Sequence, residues 1–108
     1  MIGLAWTYLI SAGLFEIGWP VGLKMAQTPG RSIVGVILAG VCMIISGYLL
    51  FLAQRHIPMG TAYAVWTGIG AAGTFILGIV LYSDPAGILR VVAVLLIISG
   101  VILLKLAH

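Results

Sequence analysis

The sequence predicts an all-α membrane protein of four transmembrane helices, and three observations carry that prediction. Only 6% of the 108 residues are charged and 63% are apolar, whereas a soluble domain carries about 25% charged residues, so the chain lacks the groups to cover its surface in water. The stretches with no charge, or nearly none, reach spanning length, about 20 residues for a hydrocarbon core of about 30 Å. The polar breaks between them are short and rich in turn formers, which leaves no room for a soluble domain and forces neighbouring helices into antiparallel hairpins.

The first span is expected over about residues 2–23, closed by Lys24, whose long stem can snorkel to the headgroups. No basic n-region and no A-x-A-like cleavage site precede the next span, so this segment reads as a retained helix, not a signal peptide. Gln27-Thr28-Pro29-Gly30-Arg31 makes a polar turn into the second span, about 32–53, which Gln54-Arg55-His56 closes. A linker containing Pro58 leads into the third, about 59–82. Ser83-Asp84-Pro85 then turns the chain, with Ser83 or Asp84 expected to cap the fourth span, about 86–104, which has Arg90 in its first turns and Lys105 at its end. Residues 1–108 thus read as one four-helix domain in the lipid bilayer.

Composition also excludes functions. The five cations are spread singly, with no basic cluster or aromatic interleaving, so no nucleic-acid face is expected. One cysteine, Cys42, lies in an apolar run and reads as a small packing residue, which rules out an intrachain disulfide. Two isolated histidines, His56 and His108, do not make a metal site, and no cofactor or enzyme activity is expected.

The most informative stretch is AGLFEIGWPVGLK, residues 12–24. It holds Glu16, the one acid inside an apolar run. A charged side chain at the bilayer centre costs at least roughly 2.5–3.5 kcal/mol, so such residues are retained mainly for function. Lys24 is about two helical turns away, too far to pair with it. The helical neighbours of Glu16 are Ala12 and Gly13 on one side and Trp19 and Pro20 on the other. Small residues below leave room for a ligand or a partner backbone, and the Trp19 indole above offers an N–H donor and an apolar wall. Its nearness to Lys24 also fits an interfacial belt role for Trp19. The bland alternative for Glu16 is a protonated acid bonded to a neighbouring helix.

The third span carries GTAYAVWTGIGAAGTFILG, residues 60–78. Tyr63 and Trp66, three residues apart, project from one face, as pocket lining or as core. Gly68, Gly70 and Gly73 follow, each lowering helix propensity by up to about 1 kcal/mol relative to Ala. They mark close helix approach or a bend. A hinge at Gly68–Gly70 and plain small-residue packing both remain open readings.

Orientation is nearly unspecified. With the N-terminus inside, Arg55 and Lys105 lie inside and Lys24, Arg31 and Arg90 outside, so the loop asymmetry that normally fixes topology is almost absent. Such a chain can insert both ways, and two copies in opposite orientations would enclose a cavity with Glu16 from each side, built like an inverted repeat. One bundle this small could hardly enclose a substrate path.

Glu16, the GLK of residues 22–24, the string from Pro58 through Gly60-Thr61-Ala62-Tyr63-Ala64-Val65-Trp66-Thr67-Gly68-Ile69-Gly70, and the small pair Ser99-Gly100 give the chain a resemblance to the small multidrug resistance family over essentially its whole length. Trp19, three residues after the glutamate, resembles the guanidinium-exporter branch. The quaternary-ammonium branch typically has Gly-Thr near that position. The resemblance implies an antiparallel, dual-topology homodimer in the bacterial cytoplasmic membrane, packed through Ser99 and Gly100. It further implies exchange of a cation for protons at the paired glutamates. It makes Glu16 the shared proton and substrate site, Trp19 and Ser46 the hydrogen-bonding partners of that glutamate, and Tyr63 and Trp66 the third-helix lining, with Gly13 beside them. Taken in isolation, Ser46 could instead bond back to the Cys42 carbonyl.

Pro20 and Gly47 depart from the family pattern, a small non-proline residue and an aromatic being usual there, and both suggest a roomier site. The chemistry favours a guanidinium-type cation, whose planar fork matches a carboxylate with two parallel N–H···O bonds. A quaternary ammonium has no N–H and prefers aromatic walls. The alternatives are a broader exporter of quaternary ammonium or other lipophilic cations and, from a different class, a membrane channel or an assembly subunit.

Overall fold

A computed structural model describes residues 2–107; Met1 and His108 lie outside the described residues. Four helices follow in order: α1 (Ile2–Ala26), α2 (Ser32–Ala53), α3 (Met59–Tyr82) and α4 (Ile88–Ala107). Three of them, α2, α3 and α4, are long and apolar enough to cross a membrane. The fourth, α1, is the longest at 25 residues and holds Glu16 among polar-tipped aromatics. The molecule is a slab of 44 × 33 × 17 Å.

Packing is uneven. α1 lies along α2 and also along α3, α2 barely meets α3, and α4 packs mainly on α3, reaching α1 through Lys105 over Trp6. Small residues explain the α1–α2 approach. A Cβ on Gly22 would stand 2.6 Å from the Ala39 amide nitrogen, one on Gly35 would strike the backbone of Gly22 and Ala26, and one on Gly18 would strike Cys42. Without a hydrophobic drive in lipid, such close approach supplies the dispersion contacts that hold helices together. Cys42 is buried in this seam.

At the end where α1 begins, Ala5, Trp6, Leu9, Ala53, Ala62 and Val65 of the first three helices and Ile57 of the α2–α3 connection form a tight cluster. Cations mark the helix ends beside aromatic rings: Lys105 Nζ lies 5.3 Å from the centre of the Trp6 ring, Arg55 Cζ 5.3 Å from Phe51, and Lys24 Nζ 5.7 Å from Tyr82. Stems run along apolar surface while the charges reach the polar boundary.

The α3–α4 connection corrects the expected capping. Ser83 adopts a left-handed conformation (φ 56) and ends α3, with its N–H and that of Asp84 both donated to the Gly78 carbonyl. Helix α4 begins only at Ile88, where the Gly87 carbonyl accepts the Val91 N–H at 3.0 Å. Neither Ser83 nor Asp84 caps it, because both are used in closing α3 onto the Gly78 carbonyl and α4 begins four residues beyond Asp84.

Candidate functional site: a carboxylate groove between α1 and α3

Glu16 sits midway along α1, half-buried, facing α3. It fits because position 70 is glycine: a Cβ there would stand 2.5 Å from Glu16 Cγ. One carboxylate oxygen, Oε2, accepts the Trp19 indole N–H at 3.0 Å. The other, Oε1, accepts no hydrogen bond among the described residues. The carboxylate borders a groove of about 380 Å³. From α1 it is lined by Glu16, Trp19 and Pro20, and from α3 by Thr67, Gly70, Ala71, Thr74 and Phe75.

Ser46 has a different place from the one the resemblance implies. Its hydroxyl donates to the Ala12 carbonyl at 2.7 Å and accepts the Trp66 indole N–H at 2.7 Å. A hydroxyl has one proton to give, so in this arrangement Ser46 is not a donor to Glu16. It is instead the middle of a polar clasp through α3, α2 and α1, fully buried. The clasp ends on the carbonyl one turn before Glu16, which fixes the height of the carboxylate relative to α2 and α3.

The remaining candidates separate in the same way. Trp66 lies with Ser46 and packs its ring 5.5 Å from that of Tyr63, which is exposed. Gly13 is buried, but the space it leaves is filled by Ile69, whose Cβ would lie 2.8 Å from a Cβ at Gly13. Gly47 faces open space and does not border the groove. Helix α3 runs unbroken through Gly68 and Gly70, where Gly68 admits Val101 of α4 and Gly70 admits Glu16. Ser99 is exposed and bonds back to the Leu95 carbonyl at 2.8 Å, while Gly100 borders an apolar groove of about 490 Å³ between α3 and α4.

Thr67, Ala71, Thr74 and Phe75 escaped the sequence reading. Thr67, Gly70, Ala71 and Thr74 recur at helical spacing from Tyr63, and the two hydroxyls could have marked a wet stripe. Thr67 donates to the Tyr63 carbonyl. A second, smaller cavity of about 180 Å³, lined by Lys24, Tyr82 and Asp84 among others, shares Pro20 and Thr74 with the carboxylate groove, so the site opens toward the Lys24 end of α1.

The model of the small multidrug resistance protein family matches residues 4–97, which includes every residue lining the groove. The chain belongs to the small multidrug resistance family. Among relatives in that family, a guanidinium exporter of Yersinia pseudotuberculosis is 48% identical over 96% of this chain and 99% of its own length. A guanidinium exporter of Escherichia coli K12 is 46% identical over 96% of this chain and 98% of its own, and one from Proteus vulgaris 44% over 96% and 99%. As a family member with four helices of spanning length, the chain is a multi-pass transport protein of the bacterial cytoplasmic membrane.

Proposed function

We propose that the protein exports guanidinium or small substituted guanidinium cations in exchange for protons, with proton and substrate competing for Glu16 of both protomers in an antiparallel, dual-topology homodimer. One observation carries the reading: an intramembrane carboxylate oriented by Trp19 through Oε2 leaves Oε1 open to a 380 Å³ groove. A carboxylate with one edge held and the other free suits a planar, hydrogen-bonding cation. The names of the relatives, guanidinium exporters at 44–48% identity, support the same substrate class.

Coupling follows from having one acid to serve two ligands. Each chain offers a single intramembrane acid, and the only other acid, Asp84, lies in the α3–α4 connection. A proton must leave before the cation binds, and the cation must leave before a proton returns. An inward proton gradient then drives cations out, because Glu16 protonates and releases substrate on the acidic side. In this scheme Gly68 and Gly70 let α3 flex between the two access states, and Ser99 and Gly100 of α4 pack against the second copy.

The test is a substrate panel on reconstituted protein, with currents driven by a pH step in guanidinium, guanylurea and tetraalkylammonium. Guanidinium-type cations should give proton-coupled currents, and apparent affinity should fall as the solution is acidified while the maximal signal holds. Larger currents with tetraalkylammonium would assign the protein to the broader multidrug class. Flux without proton counter-movement would identify a channel. For topology, cysteine labelling at the C-terminus in a Cys42→Ser background should reach about half of the copies from each face, as near-equal loop charge requires. Labelling from one face only would overturn dual insertion.

A further inference from the structure

In an α-helix the carbonyl of residue 16 accepts the N–H of residue 20, and here residue 20 is a proline with no N–H to give. The missing bond is internal, since α1 continues to Ala26. Helix geometry fixes where the freed oxygen lies. It is directed along the axis toward position 20, where the pyrrolidine ring stands in place of an N–H and crowds the carbonyl away from its usual line, and Glu16, Trp19 and Pro20 all border the carboxylate groove. No side-chain donor among the described residues reaches it: the Trp19 N–H is given to Glu16 Oε2 and the Thr67 hydroxyl to the Tyr63 carbonyl. At membrane depth an unpaired backbone carbonyl is tolerated where it borders a cavity, and freed helix carbonyls serve as cation ligands in other transporters with interrupted helices.

We propose that the main-chain carbonyl of Glu16 is a second acceptor for the transported cation, and that Pro20, by freeing it, tunes the site toward cations that carry N–H donors on three nitrogens. This rests on the guanidinium reading and adds to it. The carboxylate engages two nitrogens of a guanidinium in a fork and leaves the third nitrogen to find a partner. Because Oε2 already serves Trp19, the next acceptor on the same helical turn is the carbonyl of the same residue. A tetraalkylammonium, with no N–H, gains nothing from it. Pro20 is thus a specificity-determining residue acting through a backbone atom.

The experiment restores the donor. Pro20→Ala returns an N–H to the Glu16 carbonyl, and guanidinium affinity should fall about tenfold, the loss of one hydrogen bond to a charged group. Tetraethylammonium binding, measured in parallel, should move by no more than about twofold. The chain contains a single glutamate, so cell-free synthesis with [1-13C]glutamate places one carbonyl label, at Glu16. In the unmodified protein guanidinium should move this resonance downfield and tetraethylammonium should not. Equal losses for both cations in Pro20→Ala, or a carbonyl resonance that stays still at saturating guanidinium, would overturn the proposal while leaving guanidinium export intact. Failure of the unmodified protein to bind guanidinium would overturn both. The resonance measurement needs no variant and decides the matter even if Pro20→Ala folds poorly.

Discussion

In α1, α2 and α3, several glycines stand where another helix or a working side chain comes in: Gly22 and Gly35 where α1 meets α2, Gly13 under Ile69, and Gly70 against Glu16, whereas Gly40 and Gly47 of α2 face open space. In α4, Gly100 faces open space, and the helix buries none of its residues, with Leu96, Leu103 and Leu106 all outward. The two regions share a vocabulary of small and aliphatic residues, yet one is a fitted three-helix body and the other a helix resting mainly on α3. In lipid, burial is decided by steric complementarity and hydrogen bonding and not by apolarity, since lipid tails are as apolar as leucine. The body is held by both of these. Helix α4 has little of either within its own chain, chiefly Val101 set against Gly68 of α3, and its free face fits the second copy proposed above.

Substitutions that act on the body should therefore cost far more than their counterparts on α4. The largest effect is expected at the carboxylate: Glu16→Gln should abolish both guanidinium binding and the protons released on binding, read together in weakly buffered detergent solution. A Gln variant that still exchanges would show that the groove does not work through this residue. Next is the seam between α1 and α2. Gly22→Val forces side-chain atoms into the Ala39 backbone and should lower stability by about 1–3 kcal/mol or more, measured by denaturant unfolding in detergent. An unchanged midpoint would mean the two helices are not in that contact.

The clasp should follow. Ser46→Ala removes both of its hydrogen bonds and leaves the Trp66 indole N–H without a partner, for a loss of about 1–3 kcal/mol. The same variant should shift tryptophan emission, and guanidinium affinity should weaken as the Ala12–Glu16 turn loses its anchor. If affinity falls with stability unchanged, Ser46 touches the substrate and is not part of a structural clasp. The smallest effect is expected on α4. Gly100→Ala adds a methyl group to open space and should leave folding within about 0.5 kcal/mol, while subunit association, followed by crosslinking across detergent concentrations, should weaken. A folding defect at Gly100 as large as that at Gly22 would erase the distinction between the two regions.

Some of this was legible in the residues. The number of helices and their membrane setting follow from charge spacing and from the rule that backbone groups in lipid must be satisfied within the segment. Glu16 and Trp19, three residues apart on one helix, are brought together by helix geometry alone, and the structure joins them at 3.0 Å. These are local consequences, readable from spacing along one helix. The packing of the four helices set the rest. It gave Ser46 to the Ala12 carbonyl and Trp66, filled Gly13 with Ile69, set Thr67 and Thr74 beside the carboxylate, and delayed α4 past Pro85. In a soluble protein, polar and apolar faces would have announced which side of each helix turns inward. Here every side is apolar, so the choice of face rests on which small residues and hydroxyls meet across helices, and that is fixed only when the helices pack.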